Sequence, residues 1–371
     1  MAGILAKIVS FFMAVWTFIC PLALNPKIDI NNDEWKTNYT YVYCHGLSGW
    51  GSYDAQYKLM PYWGMFGGNL IKFLNEKGFD CVAASVAPSG SAWDRACELY
   101  AQLTGTVTDY GEEHSKRCGH ERFGKDFSKN PLVEKWDSEN KVSLIGHSFG
   151  GATVRTLVSL MAKGSDAETE TTSEESISPL FTGGKADWIY SVITLAAPHN
   201  GTTAYNTGRD SSEAEDNRTD AQKDNAAYDM YIDNALELNK NLALPENVYY
   251  FSISCSSTVQ NTDGTYSPVN SKTEVLFRGS AEEMGHYTGK TRNGFVIDES
   301  WQENDGLVNT CSALYPMYQP HTQFEKGKVE TGVWNVMPVY DGDHMSLQGG
   351  LFVKNDVRAY HAEMLNMINC L

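Results

Sequence analysis

The 371-residue sequence predicts an α/β fold, with a mostly parallel central sheet and helices on both faces. Three observations carry that expectation. Short apolar runs alternate along the chain with segments of helical spacing, a pattern that favours parallel pairing with helical crossovers. A glycine-flanked serine, Gly146-His147-Ser148-Phe149-Gly150, directly follows the apolar run Val142-Ser143-Leu144-Ile145. The composition is 42% hydrophobic, with 32 glycines against 12 prolines, which supports a real core and excludes a fibrous or low-complexity chain.

A first strand is expected over 40–44, followed by the glycine-bearing loop His45-Gly46-Leu47-Ser48-Gly49-Trp50-Gly51. Residues 69–77 have helical spacing, with Leu70, Phe73 and Leu74 on one side, and 80–86 returns to strand. Trp93, Ala96, Leu99, Tyr100 and Leu103 mark a helix over 93–103. Residues 141–145 form the strand before Ser148, and 152–161 the helix after it. Further strands fall at 188–196 and 248–253, with one more at 336–339. Two stretches read as insertions. Residues 164–178 are small, acidic and polar, as in a surface loop. Residues 206–225 contain Asp210, Glu213, Glu215, Asp216, Asp220 and Asp224 and have no apolar face.

Lys and Arg total 29 against 46 Asp and Glu, a formal charge of -17. Such a surface repels nucleic acid and anionic membranes, so neither is expected as a partner. Residues 1–26 carry Lys7, an apolar run from Ile8 to Leu24, and then Asn25-Pro26, which fits a secretory signal peptide and an exported, extracellular protein. No Ala-x-Ala site follows, so an uncleaved membrane anchor is the alternative, and a buried N-terminal helix the plainest reading. Residues 27–371 are then a single domain, a monomer or weak oligomer. Losing the segment removes Cys20 and leaves seven cysteines, an odd number, so at least one thiol lacks a partner within the chain. Asn38, Asn200 and Asn217 head Asn-x-Ser/Thr sites.

The serine motif points to nucleophilic chemistry. Gly146 and Gly150 leave room for a tight strand-to-helix turn that lifts the Ser148 hydroxyl above the sheet. Serine is a weak nucleophile until a histidine takes its proton and an acid steadies that histidine. Of the histidines after Ser148 (His199, His286, His321 and His344), His344 lies in a loop near the C-terminus, the right place for the base. Asp305 in Glu303-Asn304-Asp305-Gly306 is the favoured acid, with Asp341 and Asp343 as alternatives. Asp305-Gly306 also reads as an ordinary surface turn. An oxyanion needs two backbone donors, expected at Phe149 and Leu47, although His45-Gly46 could equally be a simple turn. His114 and His120 flank Cys118 and suggest zinc, with Cys118 the natural third ligand or else a disulfide partner, against the plainer reading of surface or core histidines.

The wider pattern resembles the thermostable lipases of Geobacillus and their staphylococcal relatives, lipase families I.5 and I.6 of the α/β-hydrolases. The resemblance runs through His45-Gly46-Leu47-Ser48-Gly49-Trp50-Gly51, the specific block Ser91-Ala92-Trp93-Asp94-Arg95-Ala96-Cys97-Glu98, and Gly119-His120-Glu121-Arg122-Phe123-Gly124. It continues in Ala197-Pro198-His199-Asn200-Gly201-Thr202-Thr203, Glu303-Asn304-Asp305-Gly306-Leu307-Val308-Asn309-Thr310 and Asp343-His344. It implies a Ser148, Asp305 and His344 triad, with Leu47 and Phe149 as oxyanion donors. It also implies a structural zinc held by Asp94, His114, His120 and Asp229, with Cys118 between ligands but not one of them. The zinc would tie an excursion over 88–130 to the region just past the insertion.

Two departures stand out. Where the family has a calcium-binding glutamate two residues after the catalytic histidine, this chain has Ser346, so calcium is not expected there. The cap region, 203–235, is short and polar where the family carries amphipathic helices, so it lacks the residues to hide an apolar groove. The expected function is hydrolysis of carboxylic esters of lipids, with triacylglycerol as the expected substrate class, weak interfacial activation and a leaning to short-to-medium acyl chains. A carboxylesterase or phospholipase is the enzymatic rival. A non-catalytic binding protein on the same scaffold is the rival from another class.

Overall fold

The computed structural model describes residues 28, 30–206, 217–350 and 357–371. The expected signal segment lies outside these, as do residues 207–216 of the polar cap stretch. Seven strands form one sheet: β1 (Thr40–Cys44), β2 (Cys81–Ala84), β3 (Val142–His147), β4 (Ile189–Leu195), β5 (Tyr249–Ile253), β6 (His321–Gln323) and β7 (Trp334–Val336). Their order is β6-β7-β5-β4-β3-β1-β2, and every neighbouring pair is parallel. Around them run α1 (Leu70–Glu76), α2 (Ala92–Thr104), α3 (Glu112–Cys118), α4 (Gly150–Lys163), α5 (Asp166–Thr171), α6 (Ile232–Asn241) and α7 (Val357–Asn369), with a further helix at Arg278–Gly285 and several shorter ones.

The strand side chains alternate between two apolar layers, as the period of two requires. Tyr41, Tyr43, Ile145 and Phe251 pack with α1 and α7 on one face. Val42, Cys44, Leu144 and Tyr250 pack with α2 and α4 on the other. Both faces are therefore covered, which is why these strands read as near-continuous apolar runs. Leu144 is fully buried, and truncating it to alanine would cost about 2–5 kcal/mol.

Three local expectations change. The acidic stretch 164–178 contains a helix, α5, whose N-cap Ser165 accepts from the Glu168 amide. Glu168 is buried, and its carboxylate accepts the backbone amides of Glu113 and His114 at 3.1 and 2.8 Å, capping α3 from outside. The last core strand falls at Trp334–Val336, and Tyr340–Asp341 pairs separately with Cys255–Ser256. Asn200 is buried, with its amide group bonded to the Ser312 and Tyr315 carbonyls, so it is no glycosylation acceptor, whereas Asn38 and Asn217 are exposed. All seven described cysteines are free thiols. No helix among the described residues is long and apolar enough to cross a membrane.

Candidate active site

The carboxyl ends of the central strands deliver the site, the usual place for function in a parallel sheet. β3 ends at His147 and the chain turns at Ser148, whose φ is +55°, straight into α4. A Cβ at position 146 would lie 2.4 Å from the Gly150 carbonyl oxygen, and one at position 150 would lie 2.4 Å from that of Cys44. Only glycine fits at either position. A left-handed serine costs about 1–3 kcal/mol, and the Ser148 amide, donating to the Leu195 carbonyl at 2.8 Å, helps hold it there.

His344 follows the short strand Tyr340–Asp341. Its Nε2 lies 2.8 Å from Ser148 Oγ and its Nδ1 lies 2.8 Å from Asp305 Oδ2. All three residues are buried, with Ser148 8% exposed. Asp305 sits in a tight turn closed by Gly306, where its other oxygen, Oδ1, accepts the amides of Leu307 and Val308 at 3.0 and 2.7 Å. Those donors fix the carboxylate in place. The His344 amide donates to the Asp305 carbonyl at 2.9 Å, which ties the two residues together along the backbone as well. The other candidates lie elsewhere. Asp341 pairs with Lys272, and Asp343 accepts from Glu274 and Ser346. His199 bonds Thr194, His286 sits beside Glu282, and His321 stacks on Tyr315. Ser346 Oγ thus donates to Asp343 where a glutamate was lacking for calcium.

Among the described residues, neither the Leu47 nor the Phe149 amide is matched to a protein acceptor. The loop bearing Leu47 is clamped by Arg95, a fully buried guanidinium that donates to the carbonyls of His45, Gly46 and Ala87 and lies over the Phe149 ring. Arg95 stands inside the Trp93–Glu98 block, yet nothing in its spacing assigned it this work.

A second cluster lies on the α2–α3 side. His114 Nε2 is 3.0 Å from Asp94 Oδ1 and 3.6 Å from Asp224 Oδ1; His120 Nε2 is 3.9 Å from Asp94 Oδ1 and 3.4 Å from Asp224 Oδ2. Tetrahedral zinc with bonds of about 2.0–2.1 Å separates its ligands by about 3.3 Å, so these donors span the edges of such a site. His120 Nδ1 donates to the Glu121 carbonyl, leaving Nε2 as a bare lone pair, and that buried atom makes no hydrogen bond. Burial opposes charge on His114, but Asp224 and Asp94 outweigh it and lift its pKa to about 9. The two imidazoles, two oxygens and an orphaned lone pair fit a zinc ion.

Cys118 Sγ, 3.9 Å from His114 Nδ1, belongs to the same group: one donor atom each from His114, Cys118, His120 and Asp224 lie within 4.8 Å of one another, while burial, with Asp224 adding, pushes the thiol up to about 11. The fourth oxygen differs from the family pattern. Asp224 faces both histidines, while Asp229 Oδ2 accepts the Ala92 amide at 2.7 Å at the start of α2. Burial of the Asp229 carboxyl, opposed by that amide and reinforced by Asp224 and Asp94, raises its pKa to about 7. Asp224 lay within the stretch read only as a polar cap, so its charge was noted without its direction.

The family model described as lipase-like, C-terminal domain, matches residues 37–215 and 212–370. A lipase of Staphylococcus epidermidis is 30% identical over 362 residues, 85% of this chain and 51% of that protein, so the chain spans about half the length of the curated relatives it matches. Among solved structures, EstA from Clostridium botulinum superposes with a TM-score of 0.81 at 30% identity, covering 93% of this chain and 90% of that one. Lipase 1 from Pelosinus fermentans gives 0.75 at 32% identity, covering 89% and 98%. The Staphylococcus hyicus lipase gives 0.78 at 25% identity, covering 92% and 98%.

Proposed function

The chain belongs to the lipase-like, C-terminal domain family of serine ester hydrolases, and from that premise we propose that it cleaves carboxylic esters of lipids with Ser148, His344 and Asp305 as its catalytic triad. The observation that carries this reading is the continuous hydrogen-bond line from Asp305 through His344 to Ser148, with both links at 2.8 Å. Ser148 Oγ attacks the ester carbonyl and its proton passes to His344 Nε2, while the Nδ1 proton stays on the bond to Asp305. The tetrahedral oxyanion meets the amides of Leu47 and Phe149, each donor worth about 2.7–4 kcal/mol in such a hole. Collapse expels the alkoxide, which takes the proton back from His344. Water repeats the route and releases the acid.

Within that class, the chain groups with lipase families I.5 and I.6 and acts on triacylglycerols. The short polar interval between Thr203 and Asp229 favours a second emphasis, toward carboxylesterase action on short-to-medium chains with weak interfacial activation. The apolar N-terminal run supports an exported protein. Asp94, His114, His120 and Asp224 hold a structural zinc, with Asp229 bracing the Asp94 helix from behind. Bound there, the ion supplies cross-linking between α2, α3 and the segment beyond the insertion.

Replacing Ser148 with alanine should lower turnover of p-nitrophenyl esters by on the order of 10³-fold or more, and abolish fluorophosphonate labelling, with the fold intact. Full activity in that variant overturns the triad. A sharp rate increase once substrate passes its solubility limit overturns the chain-length and activation reading alone.

A further inference from the structure

Next to the nucleophile sits a residue with no part in the proton transfers above. His147 is completely buried, and so nearly is Tyr62. The Gly46 amide donates to Tyr62 Oη at 3.2 Å, Tyr62 Oη lies 2.6 Å from His147 Nδ1, and His147 Nε2 lies 2.8 Å from the His344 carbonyl oxygen. A carbonyl only accepts, so Nε2 must carry the proton. A neutral imidazole then presents a bare lone pair at Nδ1, and the Tyr62 hydroxyl must donate to it. The Tyr62 oxygen is left to accept from Gly46. Each polar atom in the line thus has one role, and the tautomer is fixed. Burial, with His344 adding, depresses the His147 pKa to about 3 and keeps the ring neutral.

We propose that His147 is a positioning residue: through Tyr62 it registers the loop that supplies the Leu47 amide against the loop that supplies the His344 base. The inference rests on the triad reading. Gly46 immediately precedes Leu47, so fixing the Gly46 amide limits how the next peptide can rotate. The His344 carbonyl is tied to His147 while its amide is tied to Asp305, so the base is anchored at both backbone groups. His147 itself leads directly into Ser148. One imidazole therefore sets the relative positions of oxyanion donor, nucleophile and base. Misplacement near 1 Å at such a centre costs about 10²-fold in rate.

Three variants test this. Tyr62→Phe removes only the hydroxyl, His147→Leu removes both links, and His147→Gln keeps an N–H near the position of Nε2. Steady-state kinetics on a soluble p-nitrophenyl ester should show kcat about 10- to 100-fold lower in Tyr62→Phe and His147→Leu, with KM within about twofold of the parent. His147→Gln should recover about tenfold over His147→Leu, and the Tyr62→Phe/His147→Leu double variant should be no worse than His147→Leu alone. Unchanged kcat in Tyr62→Phe, a rise in KM without a fall in kcat, or losses that multiply in the double variant would each overturn the proposal. If His147→Leu fails to fold, the kcat and KM of Tyr62→Phe and His147→Gln decide it. Activity that depends on Ser148 but ignores Tyr62 removes the positioning role and leaves the triad; activity that survives Ser148→Ala removes the triad itself.

Discussion

Two groups of histidines and aspartates among the described residues have opposite surroundings. Around Asp305, one carboxylate oxygen is filled by the amides of Leu307 and Val308 and the other faces a single imidazole, whose far nitrogen meets a hydroxyl. Both oxygens of that carboxylate already have donors, and the free end of the line is the Ser148 hydroxyl. Around His114 and His120, two carboxylates converge on two imidazole nitrogens, beside the Cys118 thiol. That arrangement gathers charge that only a cation satisfies. In the proposed reading the same residue types make a proton path in one place and a cation cradle in the other, and the deciding factor is what surrounds each carboxylate.

The sharpest way to break this contrast is to exchange one carboxylate for an amide on each side. Asp305→Asn should reduce kcat by on the order of 10³- to 10⁴-fold, because the amide favours the wrong tautomer of His344. Asp94→Asn should leave kcat within about tenfold at low temperature and act on stability instead. Equal losses of kcat would erase the distinction. Stripping metal with a chelator should lower the melting temperature by roughly 5–10 °C, restored by zinc; an unchanged melting curve argues that no metal is held. Metal titrations of two further variants locate the fourth ligand. Asp224→Asn should weaken zinc about tenfold or more relative to Asp229→Asn, and the reverse order returns that role to Asp229.

The smallest effect is on pH dependence, where the two regions have opposite signs. His45 and His147 have folded pKa values near 3, depressed by burial first, with Arg95 and His344 respectively adding. The unfolded chain binds their protons first, so their contribution is present above about 6.5 and is lost as pH falls toward 3. His114, raised to about 9, behaves the other way in metal-free protein: its contribution is present below about 6.5 and is lost as pH rises through 9. Melting temperatures of metal-free protein should therefore fall by a few degrees at both ends. With zinc bound, His114 is already unprotonated, and the alkaline decline should disappear. A metal-free protein with no alkaline decline would contradict the charge assigned to His114.

Most of the sheet was legible because its strands are short, apolar and separated by helices of clear periodicity. The structure moves the boundaries of β1, β2, β3 and β4 by no more than a few residues from the expected spans. The Ser148 turn was legible for a different reason: glycine is demanded at two positions by backbone crowding, so the constraint is written locally. His147 was not, since its partners stand 85 and 197 positions away and nothing in its neighbours hints at either. Asp224 was hidden among similar acidic residues, where composition gives charge but not direction. The helix at 166–171 was missed because its one buried face belongs to Glu168, a residue that hydropathy assigns to solvent.

That glutamate carries a practical lesson. Its carboxylate closes the front end of the helix bearing His114, from a stretch that looks expendable on any alignment of lengths. Shortening the chain there to tidy the surface would loosen the arm that carries His114, so trimming a seemingly idle loop would reach the far cluster through a single carboxylate.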